Sequence, residues 1–300
     1  MLQYPLAISY HSLLNDYLLS VILGIVEGLT EFLPVSSTAH LRISEALLGL
    51  DLGNGFWKMF TIVIQLGPIL CLPLLFMGRI RSFFETFPVG KNGTRTLFTH
   101  PLSLTLISFV CTAVPSLLLK KVIGKNLENL TLMGCALFLG GIVMWFVDAK
   151  FGATGSTRDV EETTVTQAVA VGLCQSLAPI FPGTSRSMAT IVAGQLTGFT
   201  RSAALEFSFL LSIPTMFAAT GYDLLKFLKP SAGGGRAGPG PIDAHGWTLL
   251  AIGFVVSFLV AYATVAWLLN WVRTRGFVPF AIYRLAAGAA VIGWALGHAQ

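Results

Sequence analysis

The sequence predicts an all-α polytopic membrane protein, and three observations support this. Hydrophobic residues make up 54% of the 300 residues and charged residues 11%, and the mean hydropathy is +0.74. A soluble domain usually carries about 25% charged residues. Apolar runs of about 20 residues, the length that crosses a bilayer core, recur along the chain. These runs lack the alternation of a membrane β-barrel, so helices are the structure that satisfies their backbone groups.

Ten apolar segments are predicted to be helical, and about six of them to cross the membrane. The segments are 17–33, 38–50, 56–77, 101–119, 132–148, 165–181, 185–199, 203–228, 247–272 and 280–297.

Two pairs of these segments are short and interrupted by proline. The sequence LPVSS at 33–37 separates the first pair, and FPGTS at 181–185 separates the second. Proline removes a backbone N–H and disfavours helix at the preceding residue. Each pair is too short to cross the membrane twice, which predicts two re-entrant hairpins of the form helix, break, helix.

The two breaks align with each other as a weak internal repeat. Placing Pro34 on Pro182, an offset of 148 residues, also places Gly24 on Gly172 and Ser37 on Ser185. Broken helices at matching positions are typical of inverted-topology repeats, whose sites lie near the bilayer midplane. We predict a single integral membrane domain over 1–300, with pseudo-repeats at roughly 13–148 and 165–297. The Gly- and Pro-rich stretch 231–241 is a predicted loop.

The charge pattern argues against nucleic acid and indicates an orientation. The net charge is +5, but the charges are too sparse for a phosphate-tracking surface. Lys and Arg in loops 78–100, 149–164 and 273–279 predict that these loops are cytoplasmic. Both termini then lie outside, and the hairpins enter from opposite faces. The four cysteines lack CxxC spacing, so no zinc site or redox pair is predicted.

The first break carries acidic and nucleophilic side chains. Glu27 and Glu31 are four residues apart on one helix face, and carboxylates inside a membrane helix indicate a functional site. Such a pair shares a proton or binds a divalent cation, Mg²⁺ or Ca²⁺; the alternative is two interfacial glutamates. Ser36 or Ser37 begins the next helix, where free N–H groups bind anions. His40 suits work with Ser37 as base or acid, or is simply a satisfied histidine.

The second break carries a cation. Arg186 suits bidentate contact with phosphate oxygens, and the alternative is an interfacial arginine that binds headgroups. Hydroxyl groups surround it at Ser185, Ser187 and Thr190. Together the breaks favour a phosphorylated lipid, because phosphoryl transfer needs mainly positioning and charge stabilisation. Two weaker interpretations concern Glu206, expected to pair with Arg201 or Arg186, and Arg284, expected to snorkel to water from a helix end.

These motifs resemble a known family. The sequences EGLTEFLPVSSTAH at 27–40 and PGTSRSMAT at 182–190 are similar to the two signatures of the bacterial undecaprenyl-diphosphatase, or bacitracin-resistance, family. Shorter similarities follow in order at 63–67, 206–211 and 279–284. Met188 stands where the family usually has glycine, and Pro68 where it has a small residue. The functional residues that the resemblance implies are Glu27, Glu31, Ser36, Ser37, His40, Ser185, Arg186, Ser187 and Thr190.

The resemblance implies a metal-dependent hydrolase of the bacterial inner membrane. It would convert undecaprenyl diphosphate to undecaprenyl phosphate and phosphate, recycle this carrier for peptidoglycan, and confer bacitracin resistance, with its site toward the periplasm. Expected partners are the polyprenyl diphosphate and membrane lipids, and a homodimer is left open. The attacking group is also open between Ser37, His40 and water. The rival function is a lipid flippase or transporter, because carriers share inverted repeats with broken helices.

Overall fold

The computed structural model describes residues 15–50, 55–121, 123, 129–228 and 242–297. Of residues 226–228 it describes the backbone alone. Within these ranges the chain is helical and contains no strand, apart from one isolated bridge between Thr157 and Phe199. The predicted loop at 231–241 lies outside the described residues.

Thirteen α-helices are described in the two halves of the chain. The first half contains α1 (Asp16–Thr30), α2 (Ser37–Leu47), α3 (Gly55–Ile64), α4 (Leu66–Leu75), α5 (Met77–Thr86), α6 (Pro101–Leu118) and α7 (Leu130–Phe151). The second half contains α8 (Val165–Gln175), α9 (Leu177–Ile180), α10 (Arg186–Leu196), α11 (Arg201–Leu228), α12 (Ala244–Arg275) and α13 (Val278–Gly297).

Six helical segments of the described chain are long and apolar enough to cross a membrane. They are Gly55–Leu75 (α3 and α4 together), Pro101–Leu118, Leu130–Phe151, Arg201–Leu225, Ala244–Arg275 and Val278–Gly297. The prediction of an all-α fold with about six crossing helices is therefore confirmed. The shorter helices α1, α2 and α8–α10 form the two helix–break–helix units, and their re-entry into the membrane stays a prediction.

The two breaks share a rare backbone conformation. Ser36, just before α2, has φ = 74°, and Ser185, just before α10, has φ = 71°. Residues with a Cβ rarely adopt this region. The same conformation recurs in the residue directly before α2 and before α10, which supports the predicted repeat. It also shifts the alignment at the breaks, because Ser185 corresponds to Ser36 and not to Ser37. The second break is one residue longer between proline and helix, and Gly183 at φ = 97° accommodates the difference.

Each half packs its first helix against the other half. Helix α1 lies along α12, and α8 lies along α6. A Cβ added to Gly24 would lie 2.9 Å from the Gly253 carbonyl oxygen, and one added to Gly172 would lie 2.3 Å from that of Ser108. The predicted repeat placed these two glycines on each other. Glycine is therefore needed at both because a neighbouring helix backbone occupies the side-chain position.

Ion pairs hold the ends of the helices. Buried Asp148 accepts hydrogen bonds from Arg201 Nε at 2.7 Å, from Gln195 Nε2 at 2.8 Å and from the Phe277 backbone N–H at 2.9 Å. This carboxylate therefore joins the end of α7 to the last turn of α10, the first residue of α11 and the residue that precedes α13.

The pairing predicted for Glu206 was wrong. Glu206 binds Arg79 Nε at 2.7 Å. Arg201 is occupied by Asp148, and Arg186 pairs with Glu31 at the other hairpin. Sequence proximity within α11 therefore did not identify the partner, because α5 brings a third arginine to this carboxylate.

We expect Gly172→Leu to destabilise the fold by about 1–3 kcal/mol, the usual cost of overpacking, since its side chain would overlap the Ser108 backbone. Gly293→Leu in α13 is the matched control, because nothing lies within 4 Å of a Cβ there. Thermal unfolding in detergent should show a lower midpoint for Gly172→Leu alone. Equal midpoints would show that α6 and α8 do not pack this closely.

Candidate active site

Glu27 is a buried carboxylate whose side chain has no described hydrogen-bond partner. It lies in the last turn of α1 and is 0% exposed, and neither Oε1 nor Oε2 accepts a hydrogen bond. An unpaired buried carboxylate is among the most costly groups that a protein can hold. The position therefore indicates a site that receives a cation, a proton or a ligand donor.

Arg186 and Glu31 form an ion pair between the two hairpins. Arg186 Nη2 lies 3.2 Å from Glu31 Oε1, and its Cζ lies 5.8 Å from the centroid of the Phe32 ring. Both charged side chains are largely buried. Arg186 Nη1 is buried and has no hydrogen-bond partner. The guanidinium is therefore held from the Glu31 side and retains a free donor.

Ser37 binds the other oxygen of the same carboxylate. Its hydroxyl donates a short hydrogen bond to Glu31 Oε2. Glu31 thus contacts a hydroxyl through one oxygen and a guanidinium through the other. A hydroxyl that donates to a carboxylate has a proton acceptor already in place.

His40 is hydrogen-bonded away from Ser37. Its Nδ1 lies 2.7 Å from the Ser36 carbonyl oxygen, and its Nε2 lies 2.6 Å from the Tyr283 hydroxyl. A carbonyl only accepts, so Nδ1 carries the proton and Nε2 accepts from Tyr283. The two rings also stack, with centroids 5.6 Å apart. The structure therefore brings Ser37 to Glu31 and not to His40.

Tyr283 was missed as a site residue by sequence reasoning. It lies in the segment PFAIYR at 279–284, which was noted only as a minor similarity to the family. The usable signal was a hydroxyl close to the start of a predicted membrane helix, next to an arginine.

The remaining predicted phosphate ligands divide into two groups. Ser185 and Ser187 lie at the break, with their hydroxyl oxygens 3.4 Å apart, and Ser187 donates to the Leu33 carbonyl oxygen at 3.2 Å. Thr190 is directed into the bundle, where its hydroxyl lies 2.6 Å from Ser208 Oγ and also bonds the α10 backbone. The side chains at the break thus lie near Arg186, whereas Thr190 orients α10 against α11.

Arg284 joins the two breaks. Its Nη1 donates to the Pro34 carbonyl oxygen at 3.0 Å, and its Nη2 donates to those of Gly183 and Ala136, each at 3.1 Å. The side chain is 0% exposed, so the predicted snorkelling was wrong. The broken helices expose carbonyl groups inside the bundle, and these need a donor that water cannot supply there.

The sequence comparisons identify the family of the chain. The chain matches the family model described as Bacitracin resistance protein BacA over residues 20–290. The chain belongs to this family. Its relatives include a protein named Undecaprenyl-diphosphatase from Koribacter versatilis, 64% identical over 284 residues, which cover 94% of this chain and 99% of the relative. A protein of the same name from Thermus thermophilus is 41% identical, over 90% of this chain and 94% of the relative. Another, from Rhizobium etli, is 40% identical, over 93% of this chain and 97% of the relative.

The bacitracin resistance signature departs from its usual pattern at Met188, and the structure shows how this side chain fits. Met188 is buried, and its Cε would lie 2.8 Å from a Cβ added at Gly140. The extra volume on α10 is therefore matched by a missing side chain on α7. No described hydrogen bond or ion pair joins Met188 to the side chains of Glu31 and Arg186.

Glu27 and Glu31 are the carboxylates of this family member that could hold a divalent cation. The described residues contain no cluster of three or more His, Cys, Asp or Glu side chains placed to hold a metal. Two carboxylates are nevertheless enough for Mg²⁺, which commonly uses one or two together with substrate phosphate and water. The two unpartnered oxygens of Glu27, next to Glu31, are the observation that favours this assignment.

We expect Arg284→Met to destabilise the protein by about 3 kcal/mol, because carbonyl groups of both breaks would lose a charged donor. Arg81→Met is the control, since Arg81 is 77% exposed and pairs only with Glu85 on its own helix. Thermal unfolding in detergent measures both variants. A midpoint unchanged by Arg284→Met would show that the breaks do not depend on this guanidinium.

Proposed function

We propose that the chain hydrolyses undecaprenyl diphosphate to undecaprenyl phosphate and inorganic phosphate at the two breaks. The observation that carries this proposal is the single carboxylate, Glu31, that contacts both the Ser37 hydroxyl and the Arg186 guanidinium. A nucleophile, its proton acceptor and a phosphate-binding cation are therefore adjacent. The names of the relatives support the same reaction and do not favour the flippase alternative.

Substrate binding is assigned to the second break. Arg186 Nη1 is a free donor, and its planar guanidinium matches two oxygens of a terminal phosphate. Arg186 is the first residue of α10 and Ser37 the first residue of α2. The N-terminal N–H groups of both helices favour negative charge. Ser36, Ser185 and Ser187 add hydroxyl donors at the same breaks.

Attack is assigned to Ser37. Its Oγ forms a bond to the terminal phosphorus while its proton passes to Glu31, and the bond from phosphorus to the bridging oxygen breaks. Undecaprenyl phosphate leaves. Water then attacks the phosphorus of the phosphoserine, and a carboxylate takes up the proton of this water. The bond between phosphorus and Ser37 Oγ breaks, inorganic phosphate is released, and Ser37 Oγ recovers a proton. We assign the base role to Glu31 because the nitrogens of His40 are bound to Ser36 and Tyr283.

Glu27 and Glu31 are proposed to hold Mg²⁺ or Ca²⁺. When bound, such a cation neutralises charge on the phosphate oxygens. Glu27 contributes two oxygens that have no described protein donor, so it can bind a cation without losing a hydrogen bond. Glu31 contributes less freely, since Ser37 and Arg186 already contact it.

The cellular role follows from this reaction. Release of the monophosphate carrier returns it to peptidoglycan synthesis and removes the diphosphate that bacitracin sequesters, which gives resistance. We place the protein in the bacterial inner membrane with its site toward the periplasm. The Lys and Arg residues of segments 78–100, 149–164 and 273–279, which include helix ends, support a cytoplasmic position for these segments, opposite the site. A homodimer stays a prediction.

Ser37→Ala and Arg186→Lys should each lower kcat/KM for undecaprenyl diphosphate by at least about 10²-fold, the scale for loss of a group that stabilises transition-state charge. Lysine keeps the charge but loses the bidentate contact. Phosphate release by purified protein in detergent measures both, and Arg158→Ala, on an exposed loop, is the control.

Acid-quenched wild-type enzyme, digested and mapped by mass spectrometry, identifies the attacking group. Phosphate on Ser37 is the expected result. Phosphate on His40, or full activity in Ser37→Ala, would contradict the assignment of Ser37.

We expect EDTA to abolish phosphate release and Mg²⁺ or Ca²⁺ to restore it, because the buried Glu27 oxygens accept no described hydrogen bond and lie next to a second carboxylate. The cations should also raise the thermal midpoint of the wild type, since a ligand that binds only the folded state stabilises it. Glu27→Gln should lose this shift. Glu85→Gln, at an exposed ion pair, should retain it. A shift that persists in Glu27→Gln would place the cation elsewhere.

A further inference from the structure

An apolar groove runs beside the second hairpin. It has a volume of about 390 Å³ and lies between α7, α10 and the segment formed by α8 and α9. Its walls are almost entirely apolar and carry no charged side chain. Representative lining residues are Leu139, Val143, Cys174, Leu177, Val192 and Leu196.

The groove begins beside the second break. Thr184, in that break, lines it two residues before Arg186, and Met188 and Ala189 line it two and three residues after. From Met188 the wall follows α10 to Leu196, which is about 12 Å along a helix. A molecule whose phosphate binds Arg186 thus has apolar groove residues close to its headgroup.

The walls of the groove are uneven. Small side chains alternate with larger ones, at Ala136 on α7 and at Ala189 and Ala193 on α10, whereas the space beside Gly140 is filled by Met188 and Arg284. A prenyl chain carries a methyl branch in every unit, so an uneven apolar wall suits it better than it suits a straight acyl chain.

We propose that this groove binds the first units of the substrate's prenyl chain and favours chains long enough to fill it, a proposal that rests on the function assigned above. The units nearest the diphosphate lie along α10, and the remainder of the chain extends into the bilayer past Val143 and Leu196. Chain binding in the groove supplies affinity, whereas the groups at the breaks perform the chemistry.

Val143→Trp tests the groove against Ile142→Trp as a matched control. The two residues are neighbours on α7 and are 46% and 47% exposed, but only Val143 lines the groove. We expect Val143→Trp to raise KM for undecaprenyl diphosphate about tenfold or more, since one misplaced methylene in an apolar pocket costs about 10–200-fold. Turnover of a short prenyl diphosphate of two units should change by less than about twofold, which corresponds to under about 0.4 kcal/mol.

Equal effects of the two tryptophans, or equal effects on long and short substrates, would overturn the groove assignment while leaving the hydrolase proposal intact. Failure of the wild type to release phosphate from any prenyl diphosphate would instead overturn the proposed function. Retention of short-chain turnover in Val143→Trp also shows that the variant is folded.

A photoreactive prenyl monophosphate gives a readout that is independent of turnover. A diazirine in its second or third unit should label peptides from α7, α8 and α10 in the full-length protein. Excess undecaprenyl phosphate should suppress the labelling, and excess phosphatidylglycerol should not. Equal suppression by both lipids would show that ordinary bilayer lipid occupies the groove and would overturn the proposal.

Discussion

The structure depends on how it satisfies backbone groups at the two breaks, between α1 and α2 and between α9 and α10. A proline break removes helical hydrogen bonds, and the freed carbonyl groups need other donors inside the bundle. Arg284 meets this need for both breaks at once, because its guanidinium reaches the carbonyl groups of Pro34 and Gly183. Ser187 adds a bond to the Leu33 carbonyl from the other hairpin. Both breaks are therefore bound by the Arg284 guanidinium of α13, and the first break is also bound by the Ser187 hydroxyl from the second.

This arrangement brings the chemical groups together. Since the breaks are tied to each other, Arg186 at the start of α10 lies beside Glu31 at the end of α1. Neither hairpin holds a complete site: one supplies the carboxylates and Ser37, and the other supplies the guanidinium. The buried charges are costly, and their mutual pairing offsets that cost only in part. The unpaired Glu27 oxygens and Arg186 Nη1 are the part left for ligands.

The sequence was sufficient to predict what depends on local pattern. Long apolar runs indicated the crossing helices, and the two prolines indicated the breaks. It also identified Glu31, Ser37 and Arg186 as residues of one site. It did not predict which groups touch, because contacts such as Glu206 with Arg79 or His40 with Tyr283 join residues more than 120 positions apart. The burial of Arg284 was missed for the same reason, since its partners lie on three other segments.

The similarity between the two helix–break–helix units concerns the backbone of the site and not its chemistry. Ser36 and Ser185 share a backbone conformation, and Gly24 and Gly172 share a close approach to a neighbouring helix. The residue that corresponds to Glu27 is Gln175, however, and its amide donates to Thr112 Oγ1 at 2.9 Å and to Thr215 Oγ1 at 3.2 Å. A neutral amide bonded to two hydroxyls performs a structural task where Glu27 carries free oxygens. The two helix–break–helix units thus share a backbone conformation just before the second helix, while their side chains differ. The two breaks therefore form one site together. The first unit supplies the carboxylates of Glu27 and Glu31, and the second supplies the guanidinium of Arg186.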